Sequence, residues 1–257
     1  MDYKKKFDLS NKTSIVTGGG SGLGKEIARA LAQFGSNVVI ADIREDQALE
    51  AAEEINLNGA KVLAVPVDVS DEEQVIQLVN KTMEQFGKID VLVNNAGIMQ
   101  KKGKFEEMSL HEWESVMKVN LNSVFLMSKY VGKEMIKREK GSIINTASIS
   151  SFIANKEPHC AYNTSKAGIH MMTKSLASEW AEHNIRVNSI APGYMKTNMT
   201  KELMEDKIAV EQIENLIPLK KIGDPSEIAG LAVLLASDAS GYTTGSVIPA
   251  DGGYMTW

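Results

Sequence analysis

An α/β fold built on one doubly wound parallel sheet of seven strands, with helices on both faces, is what this sequence predicts. Short runs rich in valine and isoleucine alternate with longer amphipathic stretches along the 257 residues. The runs are mostly continuously apolar, as strands covered on both faces are. A glycine-rich loop joins the first run to the first amphipathic stretch. Alternation of this kind implies right-handed βαβ crossovers, and hence parallel strands.

The first strand is expected over Thr13–Thr17 and its helix over 22–34. Asn37–Asp42 reads as the second strand, 45–57 as its helix, and Lys61–Asp68 as the third strand. A helix over 71–86 opens on Asp71 with Gln74 three residues on, a capping pair. Then come Asp90–Asn94, the long helical stretch 111–138, Gly141–Thr146, the helical stretch 161–183 and Arg186–Ala191. Asp224, Pro225 and Glu227 announce a last helix over 225–237, and Ser246–Asp251 is the seventh strand. No repeat or Pro/Gly-rich linker divides the chain, so residues 1–257 read as one domain. Residues 194–221 break the rhythm. They are Met-rich and follow a strand end directly, which suits a lid over a site or a packed surface helix pair.

Composition narrows the function classes. The chain is 43% hydrophobic and 24% charged, with a net charge of −5. That balance speaks against a nucleic-acid-binding surface. Lys4-Lys5-Lys6 and the Lys101, Lys102, Lys104 group read as a solvated arm and a solvated loop. The single cysteine, Cys160, forms no internal disulfide and fits a reducing compartment. The N-terminus lacks the apolar run of a secretory signal, and no stretch approaches the ~18–20 apolar residues that span a bilayer. A cytoplasmic protein is expected. His111, His159, His170 and His183 show no metal-ligand spacing, so no catalytic metal is expected.

The first strand runs straight into Gly18-Gly19-Gly20-Ser21-Gly22-Leu23-Gly24, and helical character begins at Lys25. Strand, glycine loop and helix start make an anion site, because free N–H groups and the positive end of the helix dipole face the same point. Glycines let the backbone approach a pyrophosphate closely. The spacing is G-x-x-x-G-x-G at Gly18, Gly22 and Gly24, not the strict G-x-G-x-x-G.

The second strand ends on Asp42, 18 residues after Gly24, near the roughly 20-residue spacing of a ribose-binding carboxylate. A carboxylate there accepts from the ribose hydroxyls of NAD and repels the 2′-phosphate of NADP. Two like charges roughly 4 Å apart at an effective dielectric of 20 cost about 4 kcal/mol before screening. Arg44 offers a cation that could greet a 2′-phosphate instead. The loop itself carries Ser21 and no Lys or Arg before Gly22. NAD is the expected cofactor.

Tyr162 and Lys166 stand at i and i+4 near a helix start, which stacks them on one face. A tyrosine is a poor base at neutral pH. A fixed ammonium nearby is expected to favour the phenolate and lower its pKa. The pair then suits proton transfer between an alcohol and a ketone. Ser148 follows the fifth strand, at the same carboxyl edge as the glycine loop, where open α/β sheets bind ligands.

Together these motifs resemble the short-chain dehydrogenase/reductase family over essentially the full chain. Thr17 to Gly24 matches its T-G-x-x-x-G-x-G, Asn94-Asn95-Ala96-Gly97 its N-N-A-G, and Asn120 its helix asparagine. Ser148 and Tyr162-x-x-x-Lys166 match its catalytic set, and Pro192-Gly193 with Thr197 its P-G motif. The resemblance implies a Rossmann-type sheet in the order 3-2-1-4-5-6-7. It implies Gly18, Ser21, Gly22, Leu23 and Gly24 at the pyrophosphate, Asp42 and Ile43 at the adenosine ribose, and Asp68 and Val69 at the adenine. Asn95, Ala96 and Gly97 line the cofactor ribose, Lys166 also binds the nicotinamide ribose, and Tyr162 adjoins it. Pro192, Gly193, Met195 and Thr197 hold the nicotinamide end. Asn120 supports a water through which Lys166 relays protons. The interval from Ser148 to Tyr162 is one residue longer than in many members, which leaves Ser150 and Ser151 as weaker alternatives.

The implied reaction is NAD(H)-dependent interconversion of a secondary alcohol and a ketone. Ser148 and Tyr162 bind the substrate hydroxyl, and Tyr162 takes its proton as hydride passes to the nicotinamide. The tail Val247–Trp257, Glu179-Trp180-Ala181 and Ala191-Pro192-Gly193-Tyr194 resemble sugar and polyol members. A 3-oxoacyl-ACP reductase is the alternative, with Lys101, Lys102, Lys104 and Lys196 as a patch for the acidic carrier. A non-catalytic NAD(H)-binding sensor is a third reading, although such proteins typically lose the tyrosine or lysine kept here. Family members are usually homotetramers, and Trp257 would suit an interface. Substrate choice is expected to lie in 194–221, Asn155–Cys160 and the tail.

Overall fold

The structure is a computed structural model that describes residues 2–56, 61–101, 103–154 and 158–256. Lys102, Asn155 and Trp257 lie outside these residues. The strands are β1 (Thr13–Thr17), β2 (Asn37–Asp42), β3 (Val62–Pro66), β4 (Val91–Asn94), β5 (Gly141–Thr146), β6 (Ile185–Pro192) and β7 (Val247–Ala250). They form one parallel sheet in the order β3-β2-β1-β4-β5-β6-β7, as the family resemblance implies. The central strands are almost wholly buried, while β3 and β7, at the edges, are partly exposed.

Alternate strand residues feed two cores. Val16, Val38, Ile40, Val93 and Ile144 pack on one face with Ile27, Leu31, Ile55 and Val233. These come from α1 (Gly22–Gln33), α2 (Glu45–Asn56) and α9 (Ser226–Ala236). Ile15, Val39, Leu92, Ile143 and Val187 pack on the other with Leu78, Met127, Val131 and Trp180. There the cover is α3 (Glu72–Phe86), α5 (Ser123–Lys137) and α6 (Cys160–Glu179). The Asp71 carboxylate caps α3 by accepting from the Gln74 N–H at 3.1 Å. At α9 the Asp224 carboxylate accepts from Ser226 N, and Glu227 accepts from Asp224 N.

One stretch differs from expectation. The single helix read over 111–138 is α4 (Leu110–Met117) and α5 joined by a π-helical turn, Lys118–Asn122. Apolar periodicity continues through such a turn, so the sequence conceals it. Residues 194–221 contain a helix pair, one of the two forms expected there: α7 (Lys201–Glu205) and α8 (Lys207–Leu216). Among the described residues no helix is long and apolar enough to cross a membrane.

Candidate active site

The glycine loop leaves β1 at the carboxyl edge. Gly18 and Gly22 take φ of +62° and +53°, a region side chains disfavour. At Gly24 the limit is space: a Cβ would stand 2.1 Å from the Gly18 carbonyl oxygen and 2.5 Å from Asn95 Nδ2. Neighbouring segments hold the loop. The Thr17 hydroxyl accepts from Asn95 N at 2.9 Å and Ala96 N at 3.1 Å. Asn95 Nδ2 donates to the Thr17 and Gly18 carbonyls at 3.1 and 3.2 Å. Asn95 therefore shapes the phosphate loop itself. Asn94 ties β4 to β5 through Asn145 at 2.9 Å.

This cradle fits a dinucleotide. Ser21 stands at the α1 N-cap without a side-chain cap bond. On Gly22 a Cβ would meet only Thr197, at 3.6 Å, so Thr197 faces the loop from the opposite wall. Asp42 is buried at the end of β2. One of its oxygens accepts from Gly20 N at 3.0 Å and the other from Arg44 N at 3.1 Å. The Arg44 guanidinium donates to the Ser21 hydroxyl at 3.1 Å, so a cation shares the position where Asp42 would read a ribose. Val67 N bonds the Asp42 carbonyl, which brings Asp68 and Val69 beside it. The Asp68 carboxylate accepts from Ser70 N and the Ser70 hydroxyl at 2.9 and 2.6 Å. Ile43 is exposed and Leu23 half-buried. Gly193 lies against Asp251, which fixes Pro192-Gly193 beside the tail.

Ser148, Tyr162 and Lys166 meet further along the same edge. All three are buried, at 7%, 9% and 4% exposure. The Ser148 hydroxyl acts on the Tyr162 phenol and favours its ionised form. Lys166 Nζ lies 5.6 Å from the Tyr162 ring centroid and donates to the Thr146 carbonyl at 2.7 Å. Burial pushes the Lys166 ammonium down to about 8. The tyrosine departs from expectation. Burial raises its pKa above the usual value, and the bond from Ser148 only partly opposes this. Burial of the phenol sets the direction, so the polypeptide alone holds it neutral.

Asn120, fully buried in the π-helical turn, clamps Ile98. Its Oδ1 accepts from Ile98 N at 2.7 Å and its Nδ2 donates to Ile98 O at 2.9 Å. Nδ2 also lies 3.1 Å from the Ser165 hydroxyl. A Cβ on Gly97 would sit 3.3 Å from Asn120 Oδ1 and 3.8 Å from Lys166 Nζ, so these three stand together. π-Helical turns of this kind often mark functional sites. Ser151 is committed elsewhere: its hydroxyl accepts from Ser148 N and donates to the Lys166 carbonyl. Ser148 is the serine that acts on the Tyr162 phenol. Thr17, Thr146 and Ser165 are supporting residues that the sequence did not reveal. Thr17 lies inside the matched motif, whereas Thr146 acts through its carbonyl, which leaves no side-chain signal.

The segment after β6 is held by its own contacts. Met195 pairs with Gly223, and the Tyr194 and Tyr254 rings meet edge to face at 5.5 Å. Met195 is buried and its carbonyl accepts from the Thr200 hydroxyl.

Comparison with known proteins agrees with this geometry. A family profile described as enoyl-(acyl carrier protein) reductase matches residues 18–255. The 2-dehydro-3-deoxy-D-gluconate 5-dehydrogenase of Dickeya dadantii is 41% identical over 251 residues, covering 97% of both chains. The chain belongs to the short-chain dehydrogenase/reductase family. Among short-chain dehydrogenases/reductases it is also similar to the NAD-dependent glycerol dehydrogenase of Listeria innocua, at 38% identity over 98% of this chain and 97% of that one. A solved short-chain dehydrogenase/reductase structure, a gluconate 5-dehydrogenase from Burkholderia cenocepacia in complex with NADP and tartrate, superposes with a TM-score of 0.93. Its identity is 32%, with 98% of each chain covered.

Proposed function

We propose that the protein is an NAD(H)-dependent oxidoreductase that interconverts a secondary alcohol and a ketone on a sugar, sugar acid or polyol. The observation that carries this is the buried Ser148–Tyr162–Lys166 group at the same sheet edge as the glycine cradle. The relatives' names favour sugar acids and polyols over acyl thioesters. When bound, the nicotinamide gives or takes the hydride. Ser148 and Tyr162 hold the substrate oxygen, and Tyr162 moves its proton. Thr146 fixes Lys166 Nζ, which stabilises the phenolate as it forms. Asn120 holds the 95–98 loop against Lys166. The helix pair in 194–221, anchored at Met195, excludes water as a lid. Absorbance at 340 nm with a panel of polyols, aldonates and 3-hydroxyacyl thioesters, under both cofactors, tests the assignment. Turnover of the thioesters alone, or of nothing, overturns it.

Alcohol oxidation needs a proton acceptor, and burial lowers the Lys166 ammonium to about 8, so above that pH Lys166 can take up the proton that Tyr162 draws from the substrate. Oxidation kcat/KM is therefore expected to rise roughly tenfold per pH unit below that point and then level, while ketone reduction runs the other way. A flat oxidation profile from about pH 6 to pH 9 contradicts this.

Asp42 is expected to favour NADH over NADPH by roughly fivefold or more in kcat/KM, a fraction of the unscreened repulsion. The exposed Arg44 beside Ser21 works against it. Arg44→Ala should widen the preference and Asp42→Ala narrow or invert it. Higher kcat/KM with NADPH in the unmodified protein overturns the NAD assignment.

A further inference from the structure

Tyr162 stands in the first turn of α6, where helix N–H groups lack intrahelical partners. The residue before that helix, His159, makes no side-chain cap bond. The missing acceptor arrives from another element. Gln100 Oε1 accepts the Tyr162 N–H at 3.0 Å, and Gln100 Nε2 donates to the Pro158 carbonyl at 3.4 Å. Its two partners, a donor and an acceptor, fix which way the amide points. Gln100 is 6% exposed, so this contact is shielded from competing water.

Gln100 belongs to the loop after β4, which packs against the glycine loop at Ala96 and near Lys166 at Gly97. The same loop is bound to β1 through Thr17 and Ala96, and to the π-helical turn through Asn120 and Ile98. Its far end, Gln100, closes the circuit onto the turn that carries Tyr162. Lys166 lies one turn further along α6 and has its own anchor at Thr146. Loss of the Gln100 bond should therefore release the tyrosine more than the lysine. We propose that Gln100 is a positioning residue that sets the Tyr162 phenol against the cofactor-side loop by capping the catalytic helix from outside. This rests on the acid/base role proposed for Tyr162.

Two variants separate the bond from mere packing. Gln100→Met keeps the length and removes the acceptor. Gln100→Glu keeps the acceptor for the Tyr162 N–H, gives up the long bond to Pro158, and its charge suits a helix N-terminus. Each is compared with the unmodified protein on a polyol that the latter turns over, by NADH titration, and by amide exchange of cofactor-free protein over the segment 159–163. Gln100→Met is expected to lower kcat by about tenfold, since small misplacements of a reacting group are costly, and to leave the NADH Kd within about threefold. Exchange at the Tyr162 amide should quicken by about fivefold, the scale of a lost cap. Gln100→Glu should keep both kcat and protection. A Gln100→Met kcat close to the unmodified value overturns the proposal, as does Gln100→Glu falling equally far. If the unmodified protein turns over no substrate, the proposed function fails, and exchange alone decides: an unchanged Tyr162 amide refutes the Gln100 cap.

Discussion

Tyr162→Phe is expected to lower kcat by on the order of 10³, the middle to upper range for removing a positioned acid/base. The substitution deletes one oxygen and keeps the ring that packs beneath Lys166. That oxygen is the group placed to exchange a proton with the substrate, and the Ser148 hydroxyl acts on it. No neighbouring group replaces it. Ser151 is engaged by Ser148 N and the Lys166 carbonyl, and Lys166 Nζ is held on Thr146. Cofactor binding should survive, because the glycine cradle and Asp42 are untouched. The NADH Kd is expected to stay within about threefold, and stability should fall by only about 1 kcal/mol, the net worth of one buried hydrogen bond. Steady-state kinetics, NADH fluorescence titration and thermal melting check the three parts. Near-normal kcat removes Tyr162 from the chemistry; lost NADH binding makes its role structural instead.

The comparison of sequence with structure divides along a physical line. Whatever depends on side-chain period was legible. The seven strands, their sharing of one parallel sheet, and the arrival of Gly18, Asp42, Asn95, Ser148 and Pro192 at one edge all follow from apolar runs and the βαβ rule. The Tyr162/Lys166 stacking follows from helical spacing alone. What depends on backbone hydrogen bonds was not legible. The π-helical turn at Lys118–Asn122 preserves the apolar pattern while changing which groups bond. Thr146 and Ile98 act through their backbones, and Gln100 reaches a helix 62 residues away in sequence. The sign of the Tyr162 shift also escaped, because a neighbouring lysine is visible in a sequence and a desolvated phenol is not.

Gly24→Ala is expected to abolish useful cofactor affinity, raising the NADH Kd by about 100-fold or more, and to cost about 3 kcal/mol of stability, the upper part of the range for overpacking. The reason is which atoms a methyl group would meet. On Gly24 it would stand 2.1 Å from the Gly18 carbonyl oxygen, 2.5 Å from Asn95 Nδ2 and 2.8 Å from the Gly18 carbonyl carbon. Two of these are backbone atoms of the phosphate loop, so no rotamer change relieves the contact. The loop must move away from the start of α1, breaking the Asn95 bonds to the Thr17 and Gly18 carbonyls. Those bonds hold the cradle to the loop that carries Ala96 and Gly97, so the damage reaches both ends of the cofactor. Gly87→Ala supplies the contrast. Its φ of +72° also disfavours a side chain, but nothing lies within 4 Å of the new methyl. It should cost about 1 kcal/mol through backbone strain and leave NADH binding unchanged. Thermal melts and NADH titrations of both variants separate the effects. Equal losses of affinity would mean that general destabilisation, not the shape of the loop, weakens binding. Unchanged affinity in Gly24→Ala would remove the loop from the cofactor site.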